Sequence, residues 1–488
     1  MKLHSLLIVA MLLGACDSSS VPDSSETPRP QLTEEQVSYL ETMVADFVRE
    51  EGYPNLAIGL VMGGELVWST GHGAGASPGV RSDENTLFRA VSVTALVTAT
   101  AVMQLVEDGK LTLEDEAARW LPEATATLAP EGRPAVTLRH LLSHRSGIPS
   151  DGNGTADWMR PGPPLSESDL LGALEGVALQ FDPGTDYAYS VLGTALAGVV
   201  VSRASGESYR SFVQRRIFDP LGMSASVWDP PSAGLAPGHV PAGRGGYERA
   251  TATSRMGAAE PAGGLFTSVA DLARFAAFGL GHASILGAES LAESQTPEHP
   301  SFESSAFALG WVVSKLPAAG EIIGHNGSTL HYGAFLAVHP DYDIGVVCLI
   351  GSGVQGDLAG IISLGRAALI YLIDPQTAIV PKASTTLAEA IETVGERLLL
   401  LATDPTASRI EEAFTPWQLA DDPDGLLDYL ADVADLSGGC ASYEVREDRG
   451  FGAFIVRLDC AAMDWTIDVV AETRPPYRID GIGIYPGQ

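Results

Sequence analysis

At 488 residues, with 45% hydrophobic and 18% charged side chains, the chain exceeds what one core usually holds and predicts two folded domains with appendages. Its net charge of −32 argues against nucleic acid and against direct binding to an anionic membrane surface. The acidic residues are scattered rather than blocked, so the charge reads first as solubility.

The first sixteen residues read as a targeting segment: Lys2, an apolar run from Leu6 to Leu13, then Gly14-Ala15-Cys16. The run is too short to span a bilayer. Small residues directly before a cysteine resemble the bacterial lipoprotein signal, which implies that Cys16 is lipidated and becomes the mature first residue; an ordinary secretory signal is the alternative. By the same resemblance Asp17 favours retention at the inner membrane, on the periplasmic side of the cell envelope. Residues 17–33, rich in Ser, Pro and Asp without an apolar period, predict a flexible tether. No later apolar stretch reaches about eighteen residues, so nothing else is expected to span.

A helix is predicted over Thr33 to Glu51, then a hairpin of strands Leu56 to Val61 and Glu65 to Ser69 around Gly63-Gly64. An apolar helix opens at Ser92 and runs to Asp108, where Gly109 supplies the stop. Residues 110–300 read as mostly helix and loop. Strand patterns return at Leu309 to Val313, Glu321 to Ile323, Gly333 to Val338 and Asp343 to Ile350, before a helix over Asp357 to Ile373. Two strand groups flanking a helical middle predict, for residues 34–375, an α/β (α+β) domain: one antiparallel sheet built from both ends, helices on its faces, and a helical subdomain.

Asp374 to Ser384, with two prolines, marks a boundary. Residues 385–488 then predict a small α+β domain, helical first and stranded later; Trp465, Ile467 and Val469 alternate with Thr466 and Asp468 as a half-buried strand requires. A helix followed by a meander resembles the NTF2-like and cystatin-like domains. Cys440 and Cys460 each lie ten residues from Gly450 in a turn-like stretch, so they could face each other across a hairpin and form a disulfide after export. The apolar alternation of the two strands does not agree cleanly with that register. Cys348 reads as core.

Chemistry is suggested by an ordered series rather than by one motif. It comprises Leu87-Phe88-Arg89-Ala90-Val91-Ser92-Val93-Thr94-Ala95, Gly109 to Leu113 with Leu121-Pro122, and Leu138 to His144 with Ser146-Gly147. Phe181 to Tyr189, Pro220 to Met223, Ala262 to Leu265 with Ser268, Gly310-Trp311, and Gly324-His325-Asn326-Gly327 complete it. In order and spacing the series resembles the serine β-lactamase-related family, nearest class C β-lactamases, their esterase relatives and D-alanyl-D-alanine carboxypeptidases, and implies a β-lactamase/transpeptidase-like fold.

The resemblance implies that Ser92 accepts the acyl group, that Tyr189 moves a proton to the leaving group, and that His325-Asn326-Gly327 is the strand motif facing them. Backbone N–H groups of Ser92 and Ser328 would form the oxyanion hole. Two family side chains are replaced: Ala95 stands where S-x-x-K has its lysine, and Val191 where Y-x-N has its asparagine. A serine hydroxyl without a base is a poor nucleophile, and Tyr189, with a reference pKa of about 10, is about one part in a thousand phenolate at pH 7. Lys110, Lys315 and Lys382 stand at unrelated motif positions. Losing one member of such a unit removes several orders of magnitude, with roughly 10³ to 10⁴ over water surviving in the oxyanion hole.

Taken singly, Ser92 reads as a helix N-cap, Asn326-Gly327 as a hairpin turn and Tyr189 as a core residue; the series moves all three to a cleft, with His331 and Trp158 as further wall residues. No metal and no cofactor is implied. Two functions follow as expectations: an impaired acyl-serine hydrolase of esters or amides, or a non-catalytic binder of cell-wall peptides or scaffold. In both the ligand is a small molecule or peptide, and the membrane is reached through the N-terminal lipid.

Overall fold

The computed structural model describes residues 31–375 apart from 76–78, 155–162, 243–245, 251–252, 303–304, 317–318, 330 and 353–354. It also describes 397–399, 401 and the strands 440–448, 453–460, 465–471 and 479–486. Helix α1 (Glu34–Glu51) starts where Thr33 and Gln36 form a reciprocal capping box and stops at Gly52, whose φ of 68° only glycine adopts freely. Strand β1 (Asn55–Met62) follows and folds back through Gly63-Gly64 into β2 (Glu65–Gly73), four residues longer than the apolar alternation predicts.

Helix α2 (Thr94–Glu107) is buried from Thr94 to Leu105, apolar on all sides because the domain closes around it. Helix α3 (Val191–Ser205) packs beside it, begun by Ser190, whose Oγ accepts the Gly193 N–H at 2.9 Å. Helix α4 (Val269–Gly279) is capped in the same way by Ser268.

Four short strands escape prediction, one just before Ser92 and three within residues 110–300. The pieces β3 (Phe88–Arg89), β4 (His239–Ala242), β5 (Gly246–Arg249) and β6 (Phe266–Thr267) make two small sheets, β3 with β6 and β4 with β5. At two to four residues each, they are too short for a period-2 signal. The main sheet continues with β7 (His299–Phe302), β8 (Ser305–Phe307), β9 (Val312–Leu316), β10 (Gly320–Ser328), β11 (Gly333–His339) and β12 (Ile344–Ile350). Its order is β2-β1-β12-β11-β10-β9-β8-β7, and its named pairs are antiparallel, with β1 against β12 from Leu56 opposite Ile350 to Met62 opposite Ile344. The amino-terminal hairpin thus joins the late strands in one sheet.

Two differences from the predicted strands matter for the site. The strand expected at Leu309 to Val313 starts only at Val312, because Gly310 (φ 77°) bends the chain between β8 and β9. The turn reading of Asn326-Gly327 is replaced by straight strand: Asn326 pairs with Phe335 and Gly327 with Ala334 in β10 and β11.

Both faces of the sheet are covered. Alternate residues of β11 divide between two cores, Leu336 and Val338 facing the α2 and α4 side, and Phe335 and Ala337 facing α1 and α5 (Gln355–Ile373). Every residue of β11 and β12 is therefore buried, and these strands read as continuous apolar runs. Cys348 belongs to the α1 and α5 core.

Strands β13 (Cys440–Asp448), β14 (Ala453–Cys460), β15 (Trp465–Ala471) and β16 (Ile479–Pro486) form an antiparallel meander in that order. Cys440 stands opposite Cys460 at a Cα separation of 3.9 Å, and the two are joined. Register shifts between Cys440 and Ser442 and between Val445 and Glu447 account for the mismatched alternation, since each bulge turns the following side chains to the other face. The Arg449-Gly450 turn and most of the helical part expected at the start of residues 385–488 lie outside the described residues. Peptide mapping without reduction of protein taken from the periplasm should recover a Cys440–Cys460 linked pair; two free thiols would refute a bridge formed on export.

Candidate active site

Ser92 sits in a single 3₁₀ turn, Val91–Val93, immediately before α2. It makes no N-cap bond there. Val91 has φ 46°, a left-handed conformation that a β-branched residue adopts only when its surroundings force it. The turn is held from both sides: the Thr94 hydroxyl donates to the Val91 carbonyl at 2.6 Å, and the Ala90 N–H donates to the Leu265 carbonyl at 2.8 Å. Strand β10 runs past the same point so closely that a Cβ on Gly327 would lie 2.4 Å from the Ser92 nitrogen. Only glycine fits, and His325, two residues earlier, shares that face of the strand.

Tyr189 arrives from the segment before α3. His144 holds that segment twice: its carbonyl accepts the Ala188 N–H at 2.9 Å, and its ring Nδ1 accepts the Ser190 N–H at 3.1 Å. Its ring centroid lies 4.2 Å from that of Tyr189. Burial raises the Tyr189 pKa above its ordinary value, and a polar contact with the Ser92 hydroxyl offsets part of the rise. The phenol therefore faces the serine in its protonated form at neutral pH.

The ring tautomers follow from their partners. A carbonyl only accepts, so His325, whose Nδ1 bonds the Asn326 carbonyl, carries its proton there and leaves Nε2 as a bare lone pair. His144 accepts at Nδ1 and so carries its proton on Nε2. Both Nε2 atoms are buried without a hydrogen-bond partner among the described residues. Burial depresses the two pKa values, to about 4 for His325 and about 3 for His144, the latter lowered further by His325. Both rings are neutral at pH 7.

Phe307 closes this corner, its ring centroid 4.7 Å from His144 and 5.8 Å from His325. Ser92, Tyr189, Val191, His325, Ser328 and His331 all line one cavity of about 720 Å³, so the structure brings together the three proposed catalytic residues and the replaced position 191. Ala95, in the first turn of α2, is 2% exposed. Trp158 lies outside the described residues, as does Cys16. Among the described residues no group of three or more His, Cys, Asp or Glu is placed to hold a metal ion.

Phe307 and Tyr187 line the cavity and His144 stacks behind Tyr189; sequence reasoning singled out none of the three. His144 stood in the quoted stretch Leu138 to His144, but its φ of 57° and its ring contact with Tyr189 depend on two loops meeting. A buried non-glycine residue in that conformation is a marker of a functional region, visible only in three dimensions.

The family model for beta-lactamase matches residues 40–358. The chain belongs to the beta-lactamase family. Among curated beta-lactamase relatives, esterase EstB of Burkholderia gladioli is 37% identical over 170 residues, covering 33% of this chain and 43% of that protein. The match thus spans less than half of EstB's length. Among solved structures, the octameric penicillin-binding protein homologue from Pyrococcus abyssi superposes with a TM-score of 0.65 at 23% identity, covering 89% of this chain and 91% of that one. D-amino acid amidase from Ochrobactrum anthropi SV3, complexed with L-phenylalanine amide, gives 0.62 at 22% identity over 70% of this chain and 99% of that one. At those identities the two structures show a shared fold: a large antiparallel sheet with helices.

Proposed function

We propose that this beta-lactamase family chain is a slow acyl-serine hydrolase of small esters or amides, with Ser92 as nucleophile. Tyr189 passes the proton between Ser92 and the leaving group, and the bare Nε2 of His325 supplies the base that Ala95 no longer does. The observation that carries this reading is the cavity corner in which the Ser92 hydroxyl meets the Tyr189 phenol beside an unpartnered imidazole lone pair. The strained Val91 turn, with the N–H groups of Ser92 and Ser328 as oxyanion donors, gives the tetrahedral intermediate its charge stabilisation. EstB, by its name an esterase, and the amidase support esters or amides as the substrate class.

The second reading is a non-catalytic binder of cell-wall peptides or a scaffold, favoured by the alanine at position 95, where S-x-x-K has its lysine. A neutral fluorophosphonate separates the two. Stoichiometric labelling that disappears in Ser92→Ala supports the hydrolase; a folded protein that stays unlabelled refutes it.

Tethering belongs to the same proposal. Gly14-Ala15-Cys16 supports a diacylated amino terminus, and residues 17–33 would hold the hydrolase off the periplasmic face of the inner membrane. No described helix is long and apolar enough to cross a membrane. Cys16→Ser should release the protein into the soluble fraction or leave it unprocessed. Mass spectrometry finding an unmodified amino terminus at another residue would end the lipid-anchor reading.

A further inference from the structure

An α-helix leaves its first four N–H groups without partners of its own, and at the start of α3 one loop takes three of them. The Ser190 N–H donates to His144 Nδ1 at 3.1 Å, the Val191 N–H to Ser150 Oγ at 3.1 Å, and the Leu192 N–H to the Ser150 carbonyl at 3.1 Å. Gly193 supplies the fourth, to Ser190 Oγ at 2.9 Å. Just before the helix, the Ala188 N–H donates to the His144 carbonyl at 2.9 Å. Tyr189 is thus bracketed by two bonds to a single residue, and the point at which α3 begins is set from outside the helix. His144 makes both bonds from φ 57°.

Packing alone does not account for an imidazole at this place. His144 is 1% exposed, and its Nε2–H is buried without a partner among the described residues. An apolar ring of the same shape would avoid that desolvation cost. What the imidazole adds is the lone pair on Nδ1, and Ser190 occupies it, so His144 is no base. Among the described residues the cavity wall includes Tyr189 and Ser150 but not His144. The imidazole lies instead against the phenol, the two rings 37° apart in tilt and 4.2 Å between centroids, with Phe307 at 89° to it and 4.7 Å away.

We propose that His144 is a positioning residue for acyl transfer at Ser92: through the Ser190 N–H and the stacked phenol it holds the Tyr189 hydroxyl in register with the serine and the leaving group. The inference rests on the hydrolase reading and deepens it, assigning the placement of Tyr189 to a residue behind the cavity wall.

The test compares His144→Asn with His144→Gly in the intact protein. Asparagine and glycine both accept φ near 57°, and both remove the ring. They differ in the acceptor, because the Oδ1 of asparagine stands two bonds from Cβ, as Nδ1 does, and can take the Ser190 N–H. Turnover is measured on phenyl acetate and on p-nitrophenyl acetate, with Tm recorded for each variant. Phenoxide draws far more on a proton from Tyr189 than p-nitrophenolate does. His144→Gly should lower kcat on phenyl acetate about 10²-fold and on p-nitrophenyl acetate only about tenfold, with KM within about twofold. His144→Asn should recover at least about tenfold of the phenyl acetate loss. Equal kcat for the two variants, a loss carried by KM, or equal losses on the two esters would overturn the proposal. So would failure of either variant to fold, which would make His144 a requirement of the fold rather than of the reaction. Fluorophosphonate labelling of the wild-type protein keeps the two readings apart. A labelled Ser92 with equal variants removes the positioning role alone; an unlabelled one removes the hydrolase and this role with it.

Discussion

Replacing Ala95 by lysine and Val191 by asparagine together should raise p-nitrophenyl ester hydrolysis at least about 10²-fold over the unaltered protein. Position 95 lies three residues along from Ser92, so its side chain belongs to the same helical face, and the whole turn is held in place by Thr94 and Leu265. The scaffold that would use an amine is therefore present. A lysine at 95 would be buried, as Ala95 is at 2% exposure, and an ammonium there would be desolvated and pushed towards the neutral form that takes a proton. Val191 already lines the cavity beside Tyr189, so an asparagine at 191 would offer a carbonyl to orient the amine. Each single change should give less than the pair, because a buried amine without an acceptor and an amide without an amine both leave polar groups unsatisfied. Initial rates of wild type, both singles and the double decide it, with Ser92→Ala in the double background as control. A folded double variant at the wild-type rate would show that the cavity has diverged beyond those two side chains.

How far the sequence reaches is seen by comparing residues of one site. Ser92, Tyr189 and His325 could be picked out because each sits in a short local pattern at a fixed place in an ordered series, and β10 carries His325 and Gly327 on one face by strand periodicity alone. His144 could not, since its ring reaches Tyr189 only when the loop after residue 142 folds against the start of α3. Among the strands, β11 and β12 were legible as long apolar runs, whereas β3 and β6 take their shape from the chain packed around the Ser92 turn. The bulges in β13 mark the same limit: an inserted residue reverses the alternation, and pattern reading has no period left to follow.

A flat pH profile is the signature that separates His325 from Tyr189 as the base. With its pKa depressed to about 4, the His325 imidazole is a free base across the range from about 5 upward, so kcat/KM should rise through about pH 4 and then stay level to pH 9. A mechanism driven by Tyr189 phenolate would behave otherwise. Burial has raised that pKa, and the rate would climb about tenfold per pH unit through neutrality and beyond. His325→Ala should lower the rate by about 10² to 10⁴ and leave fluorophosphonate labelling slow but detectable. Stability supplies a control for the acid limb. The folded pKa lies below the ordinary 6.5, so below pH 6.5 the unfolded chain binds a proton that the folded one refuses. The stabilisation is complete above that value and is lost as pH falls towards 4. His325→Phe should reduce the fall of the denaturation midpoint over that window, leaving the share that belongs to His144, while abolishing the acid limb of the rate. A wild-type rate that keeps rising from pH 6 to 9 would remove His325 as the base and return the proton to the phenol.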